Sequence, residues 1–205
     1  MLNVPLLPHT LEDMSTARTH FREALSLLSN LIEDEAFISS VDSASKALSS
    51  CLQSGGKILS CGNGGSMSDA MHFAEELSGK FREDRPAYAA IALSSPAHIT
   101  CVANDYGFDK IFSRGVEALG CQGDVLLAIS TSGNSSNVLE AASAAKSKGM
   151  TVLGLTGGDG GELSSLSDYE IRIPWDGYSD RVQEMHIKCI HAMIDSIERS
   201  FISFS

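Results

Sequence analysis

Basic residues are scarce in this chain: 15 Lys and Arg stand against 26 Asp and Glu, a formal net charge of -11. A nucleic-acid-binding surface needs clustered Lys and Arg, so the balance argues against that class of function. It also means that an anionic small molecule would have to be held by local donors against an unfavourable bulk field. The cysteines lack any pairing pattern. Cys51, Cys61, Cys101, Cys121 and Cys189 are scattered, odd in number and without a CxxC spacing. Neither a disulfide framework nor a cysteine zinc site is suggested, which leaves reduced thiols in or beside apolar runs. No window approaches the roughly 18 uninterrupted apolar residues that a membrane helix needs. The opening stretch MLNVPLLPHT has neither the basic region nor the long apolar stretch of a signal peptide. The expectation is a cytoplasmic protein with no membrane association.

What is present is globular. At 205 residues, with 43% apolar and 20% charged, the chain is long enough for one well-packed domain. It shows no internal repeat, low-complexity tract or linker, so one domain over 1–205 is expected. Helices fill 1–55, and an α/β core with a terminal helix fills 56–205. Thr10-Leu-Glu-Asp13 reads as a capped helix start, and Leu11, Met14, Phe21, Leu25, Leu28, Leu31 and Ile32 recur at helical spacing to about Glu33. A second helix runs from Ala36 to Leu52, with Phe37, Val41, Ala44, Leu48 and Leu52 on one face. From Lys57 the pattern changes. Lys57–Cys61, Tyr88–Leu93, Asp124–Ser130, Met150–Leu155 and Tyr169–Ile173 are short, apolar and bounded by Gly, Ser or Pro, as strands are. Helix-length segments lie between them at Ser66–Gly79, Pro96–Val102, Asp109–Leu119 and Ser135–Ser147, and a last helix spans about Asp180 to Ser200. Alternation of this kind implies a parallel sheet with helices on both faces. The expected fold is therefore an α/β/α sandwich around about five parallel strands, with ligands at their carboxyl ends.

Four segments carry candidate chemistry. Ser60-Cys-Gly-Asn-Gly-Gly-Ser66 joins the first strand to its helix. Its glycines allow close backbone approach to a ligand, and it matches neither the Walker pattern nor GxGxxG; it could also be only a tight turn. Ser130-Thr-Ser-Gly-Asn-Ser-Ser136 sets five hydroxyls around one glycine at a helix start. That suits a phosphate, although helix capping would need just one of them. His72 and Glu76 are i and i+4 on one helical face, a pair that could ligate a metal, supply a base with an imidazole beside it, or merely hydrogen-bond at the surface. Glu75, about 100° round the helix, is expected in solvent. In the last helix Gln183, Ile187 and His191 share a stripe, with Gln183 and His191 about 12 Å apart along the axis. A single metal could join those two only by sitting between them. His186 is on a neighbouring stripe and reads equally as a satisfied, partly buried histidine. Asn104-Asp105 adds a polar pair after an apolar helix.

The motifs CGNGGS…DAMHFAEELSGK, CVANDYGF, ISTSGNS, LTGGDGG and DRVQEMHIKCIH, in this order, closely resemble the phosphoheptose isomerases of the sugar isomerase (SIS) domain superfamily, over about Ala36 to Ile197. The resemblance implies conversion of sedoheptulose 7-phosphate to D-glycero-D-manno-heptose 7-phosphate through an enediol(ate), the first step of ADP-heptose and lipopolysaccharide core heptose biosynthesis. It implies one zinc ion per subunit on His72, Glu76, Gln183 and His191, with Glu76 as base and His191 as acid. Substrate and phosphate contacts fall on Asn63, Gly64, Gly65, Ser66, Glu76, Ser130, Thr131, Ser132 and Ser135. Asn104, Asp105, Asp180 and Gln183 match further polar positions around the sugar. Lys80 stands where some relatives carry arginine. A homotetramer with active sites at subunit interfaces is also implied. The alternative on the same fold is a non-catalytic protein that binds a replication initiator or senses a sugar phosphate. The joint presence of His72, Glu76 and His191 speaks against it.

Overall fold

The computed structural model describes residues 15–202. Helix α1 spans Thr16–Glu33 behind an N-cap at Ser15, whose side chain accepts from the Arg18 N–H. The helix start expected at Thr10 lies outside the described residues. Helix α2 spans Glu35–Gln53, and the Asp34 carboxylate at its N-cap accepts from the N–H groups of Ala36 and Phe37. Beyond these come β1 (Ile58–Gly62), α3 (Gly65–Ser78), β2 (Ala90–Ala92), α4 (Pro96–Asp105), α5 (Ser113–Leu119), β3 (Val125–Ser130), α6 (Ser136–Ser147), β4 (Thr151–Gly157), α7 (Gly161–Leu166), β5 (Tyr169–Ile173) and α8 (Ser179–Ile202).

All strand pairs are parallel, in the order β2-β1-β3-β4-β5. The chain reverses its direction of winding between β1 and β3, and in an open α/β sheet the crevice at that switch point is where ligands bind. Gly62 is paired with Ile129, so Asn63, the first residue after β1, comes level with Ser130, the last residue of β3. The two loops singled out from sequence therefore emerge side by side.

Alternation along the strands splits the core in two. Val125, Leu127 and Ile129 join Phe73, Leu77, Ile190, Met193 and Ile194 under α1, α2, α3 and α8. Leu126 and Ala128 join Val138, Ala141, Ala142 and Phe112 under α4 to α7. With all six residues of β3 buried, its uninterrupted apolar run is explained. At the amino end, Asp124 accepts from the Lys57 N–H (2.9 Å) and its ammonium (2.6 Å), tying β1 to β3.

Three elements depart from expectation. The second strand shrinks to Ala90–Ala92, an edge position that pairs only with β1. The segment expected as one helix over Asp109–Leu119 is a 3-10 turn at Phe108–Lys110 followed by α5. Helix α7 was not anticipated. It has six residues, too few to show a period, and starts from Gly160 at φ 88°, a left-handed backbone that glycine adopts without strain.

His186 is fully buried rather than partly so. Its Nε2 donates to the Thr156 carbonyl at 2.9 Å, and its Nδ1 has no partner. Charging the ring would place a second N–H where nothing accepts it, and burial pushes its pKa down from 6.5 to about 4. The neutral ring is the stabilised form. Its contribution is complete above the unfolded value and is lost as pH falls from about 6.5 toward 4, amounting to about 3 kcal/mol. Denaturant unfolding at pH 7 and pH 4 should show a smaller acid loss for His186→Gln than for the unaltered protein. Equal losses would refute the assignment.

Candidate functional site

Each side of the switch-point crevice is shaped by its loop. Gly64 takes φ 55°, ψ -120°, and with this turn α3 begins at Gly65. Ser66 is buried, as is Ser130 at the end of β3. Ser130 Oγ donates to Ser135 Oγ at 3.1 Å. Ser132 Oγ accepts from the Asn134 N–H at 3.2 Å. Ser135 is the N-cap of α6 but makes no side-chain capping bond there, so its hydroxyl is not spent on the helix. The loops are fastened to each other by a reciprocal amide pair: Asn63 Nδ2 donates to Asn137 Oδ1 (2.8 Å) and Asn137 Nδ2 to Asn63 Oδ1 (2.9 Å). Thr131 and Ser132 also line a cavity of about 400 Å³ with Gly158, Asp159, Trp175 and Ser179.

Further along α3 lies the second part of the site. Helices α3 and α8 run side by side in the same direction. Gly65 faces Gln183, and one added carbon on Gly65 would lie 2.6 Å from the Gln183 Oε1. Two turns on, His72 Nε2 lies 3.0 Å from His191 Nε2 and 3.4 Å from Glu76 Oε1. One ligand atom from each of His72, Glu76 and His191 can be chosen so that all lie within 4.8 Å of one another. Donors bound tetrahedrally at zinc-like bond lengths would stand about 3.4 Å apart, so two imidazoles and a carboxylate at these spacings fit a divalent ion. The ring of His191 stacks on Phe81, centroids 5.7 Å apart. Burial, then the neighbouring His72, hold its pKa below the ordinary value despite Glu76. A cleft of about 450 Å³ beside His191 is walled by Phe21, Leu25 and Leu28 of α1 and by Glu184 and Lys188 of α8.

Not every residue named from sequence comes to this place. The Gln183 amide packs over Gly65, two turns from His72. Asn104 and Asp105 close the last turn of α4, exposed, where Asn104 Nδ2 donates to Asp105 Oδ1 at 2.7 Å. Asp180 is exposed, and its carboxylate accepts from the Arg181 N–H. Lys80 is exposed just beyond the end of α3.

Sequence reasoning passed over Asp69. It lies three residues before His72 and seven before Glu76, hence on their stripe. Its Oδ2 is buried without a hydrogen-bond partner. The signal was available: extending the His72/Glu76 spacing backward by one turn reaches it.

A family model described as the SIS domain matches residues 19–157. The chain belongs to the SIS domain family. The phosphoheptose isomerase of Pectobacterium atrosepticum is 56% identical over 182 residues, 89% of this chain and 94% of the relative. Two solved structures share the architecture at substantial identity. The phosphoheptose isomerase from Neisseria gonorrhoeae has a TM-score of 0.83 at 42% identity, covering 89% of this chain and 97% of that one. The one from Francisella tularensis has a TM-score of 0.85 at 39% identity, covering 91% and 100%. Within the family, this chain thus groups with phosphoheptose isomerases.

Burial pushes the Asp69 carboxyl up to about 6. The protonated form is the stabilised one: its contribution is complete below the unfolded value of 3.8 and is lost as pH rises through about 6. Asp69→Asn in metal-free protein should therefore raise the melting temperature at pH 7.5 and change it little at pH 4. A fall at pH 7.5 would mean the carboxylate has a stabilising partner in solution.

Proposed function

We propose that this chain interconverts sedoheptulose 7-phosphate and D-glycero-D-manno-heptose 7-phosphate, an aldose–ketose isomerisation, with the whole chain acting as one SIS domain. The observation that carries this reading is the meeting of His72, Glu76 and His191 from two helices 119 residues apart in sequence (191 less 72). It is supported by the identity to proteins named phosphoheptose isomerase.

In the ketose-to-aldose direction the Glu76 carboxylate takes a proton from C1, the carbon beside the C2 carbonyl. The electron pair left behind forms the enediol(ate). His191 passes a proton from O1 to O2, and Glu76 returns its proton to C2, which leaves the carbonyl at C1. A general base and acid placed in this way contribute typically about 10²–10⁴-fold each. Ser130, Thr131, Ser132 and Ser135, with the backbone N–H groups at the start of α6, hold the distal phosphate and so fix the reacting carbons. Asn63, Gly64, Gly65, Ser66, Asn104, Asp105, Asp180 and Gln183 orient the sugar chain. Zinc, one ion per subunit on His72, Glu76, Gln183 and His191, would supply Lewis-acid stabilisation of the developing oxyanion. For Gln183 to join the other three, its amide would have to leave Gly65.

The site works in a cytoplasmic homotetramer. In support, Phe21 (77% exposed), Leu25 and Ile32 form an apolar face on α1. It continues into a groove lined by Leu28, Phe37, Ile38, Val41 and Met185. Light scattering should return roughly four times the 21.8 kDa chain mass; a monomer at micromolar concentration would refute the assembly.

The chemistry is tested by a coupled assay with sedoheptulose 7-phosphate against five- and six-carbon ketose phosphates. Turnover should favour the heptulose. Glu76→Gln keeps size and reach but removes the base, so kcat should fall by about 10²–10⁴-fold. Metal content is measured on the same sample to separate a lost ion from a lost base. Near-normal kcat in a metal-replete Glu76→Gln enzyme would sink the mechanism.

A further inference from the structure

His72 has a carboxylate near each of its ring nitrogens, from two consecutive glutamates. Its Nε2 faces inward, 3.4 Å from Glu76 Oε1 and 3.0 Å from His191 Nε2. Its Nδ1 faces outward, 3.3 Å from Glu75 Oε1. The two carboxylates differ in setting: the Glu76 side chain is 16% exposed and the Glu75 side chain 65%. Helical side chains lean toward the N-terminus, so a residue at i+3 lies over the turn before its own. Glu75 thereby reaches back over His72 although its Cα is rotated toward solvent.

A neutral imidazole carries one proton, and the atom that holds it is set by the partner of the other nitrogen. An ionised carboxylate can only accept. With the proton on Nδ1, His72 turns a donor toward Glu75, and its Nε2 lone pair can accept from the His191 Nε2–H 3.0 Å away, or face Glu76 with a cation between them. With the proton on Nε2, the Nδ1 lone pair confronts the Glu75 carboxylate, and the inward nitrogen can no longer serve as a ligand. Packing does not decide the matter. The His72 side chain is 35% exposed, and its ring meets His191 edge-on, whereas His191 has the face of Phe81 to rest on.

We propose that Glu75 is a positioning residue that holds the His72 imidazole in its Nδ1–H tautomer, keeping the Nε2 lone pair directed into the cluster of His72, Glu76 and His191. This rests on the reading of His72 as a metal ligand, and it gives the adjacent glutamates separate tasks: Glu76 within the cluster and Glu75 behind the histidine. Outer partners of this kind typically change metal affinity by about 10- to 100-fold when removed.

Two measurements test it on the full-length protein. Long-range ¹⁵N–¹H correlation spectra of metal-free, ¹⁵N-histidine-labelled protein report which nitrogen of His72 is protonated. The unaltered protein should show Nδ1–H, Glu75→Ala should move toward Nε2–H, and Glu75→Gln, whose amide oxygen still accepts, should keep Nδ1–H. Titration with Zn²⁺ against a competing chelator should then show about 10- to 100-fold weaker binding for Glu75→Ala, with Glu75→Gln close to the unaltered protein. An unchanged tautomer and unchanged affinity in a folded Glu75→Ala variant would overturn the proposal. If the unaltered protein binds no Zn²⁺, the metal reading fails, and the tautomer comparison alone still decides the task of Glu75.

Discussion

Helix α8 leaves the edge strand β5, crosses the face of the sheet and lies along α3, the helix that leaves β1. That parallel seam is the constraint on which the site depends. Near its start Gly65 packs beneath the Gln183 amide, close enough that an added side chain would oblige that flexible amide to move. Its far end is held by Arg85 and Glu198, paired at 2.9 Å with side chains 7% and 3% exposed. Arg85 also donates to the carbonyls of Glu76 and Leu77, both at 2.8 Å, so the same guanidinium satisfies backbone acceptors in the last turn of α3. Removing one partner of such a buried pair leaves an uncompensated charge, which is strongly destabilising.

The seam also explains what sequence could and could not disclose. His72 and Glu76 are one turn apart, so their shared face followed from helical period alone. Their meeting with His191 depends on the path of α8 over the sheet, which no local pattern encodes; only resemblance joined them beforehand. Gln183 was grouped with His191 by its stripe, and the structure leaves it two turns away. Glu75 was assigned to solvent from its angular position. It is there, with its side chain 65% exposed, and it still brings a carboxylate oxygen within 3.3 Å of His72 Nδ1, a contact that the angle alone does not reveal. Asp69 was overlooked because a single Asp in a first turn reads as ordinary helix-start chemistry.

For the fold itself, the strands on continuous apolar runs were legible because both faces of β1, β3 and β4 are buried. Boundaries failed where tertiary position overrides pattern. Tyr88 and Leu93 flank β2 but do not join it, since an edge strand keeps only the pairing its one neighbour offers. Asn104 and Asp105 were expected after the end of the helix over Pro96–Val102, yet they are carried in the last helical turn of α4.

The amide pair of Asn63 and Asn137 has one more consequence. It holds the loops after β1 and β3 together with neutral groups, and the segments Asn63–Met67 and Ser130–Asn137 contain no Lys or Arg. The charge-paired Lys57 sits instead at the opposite, amino end of β1, locked to Asp124. An anion approaching these loops thus meets a surface of net negative charge and gains attraction only within hydrogen-bonding range. Added salt screens the repulsion over distances beyond about 10 Å at 0.1 M while leaving the short contacts intact. For such a ligand, higher ionic strength quickens the encounter, the reverse of the behaviour of a site that steers its anion with a field of lysines.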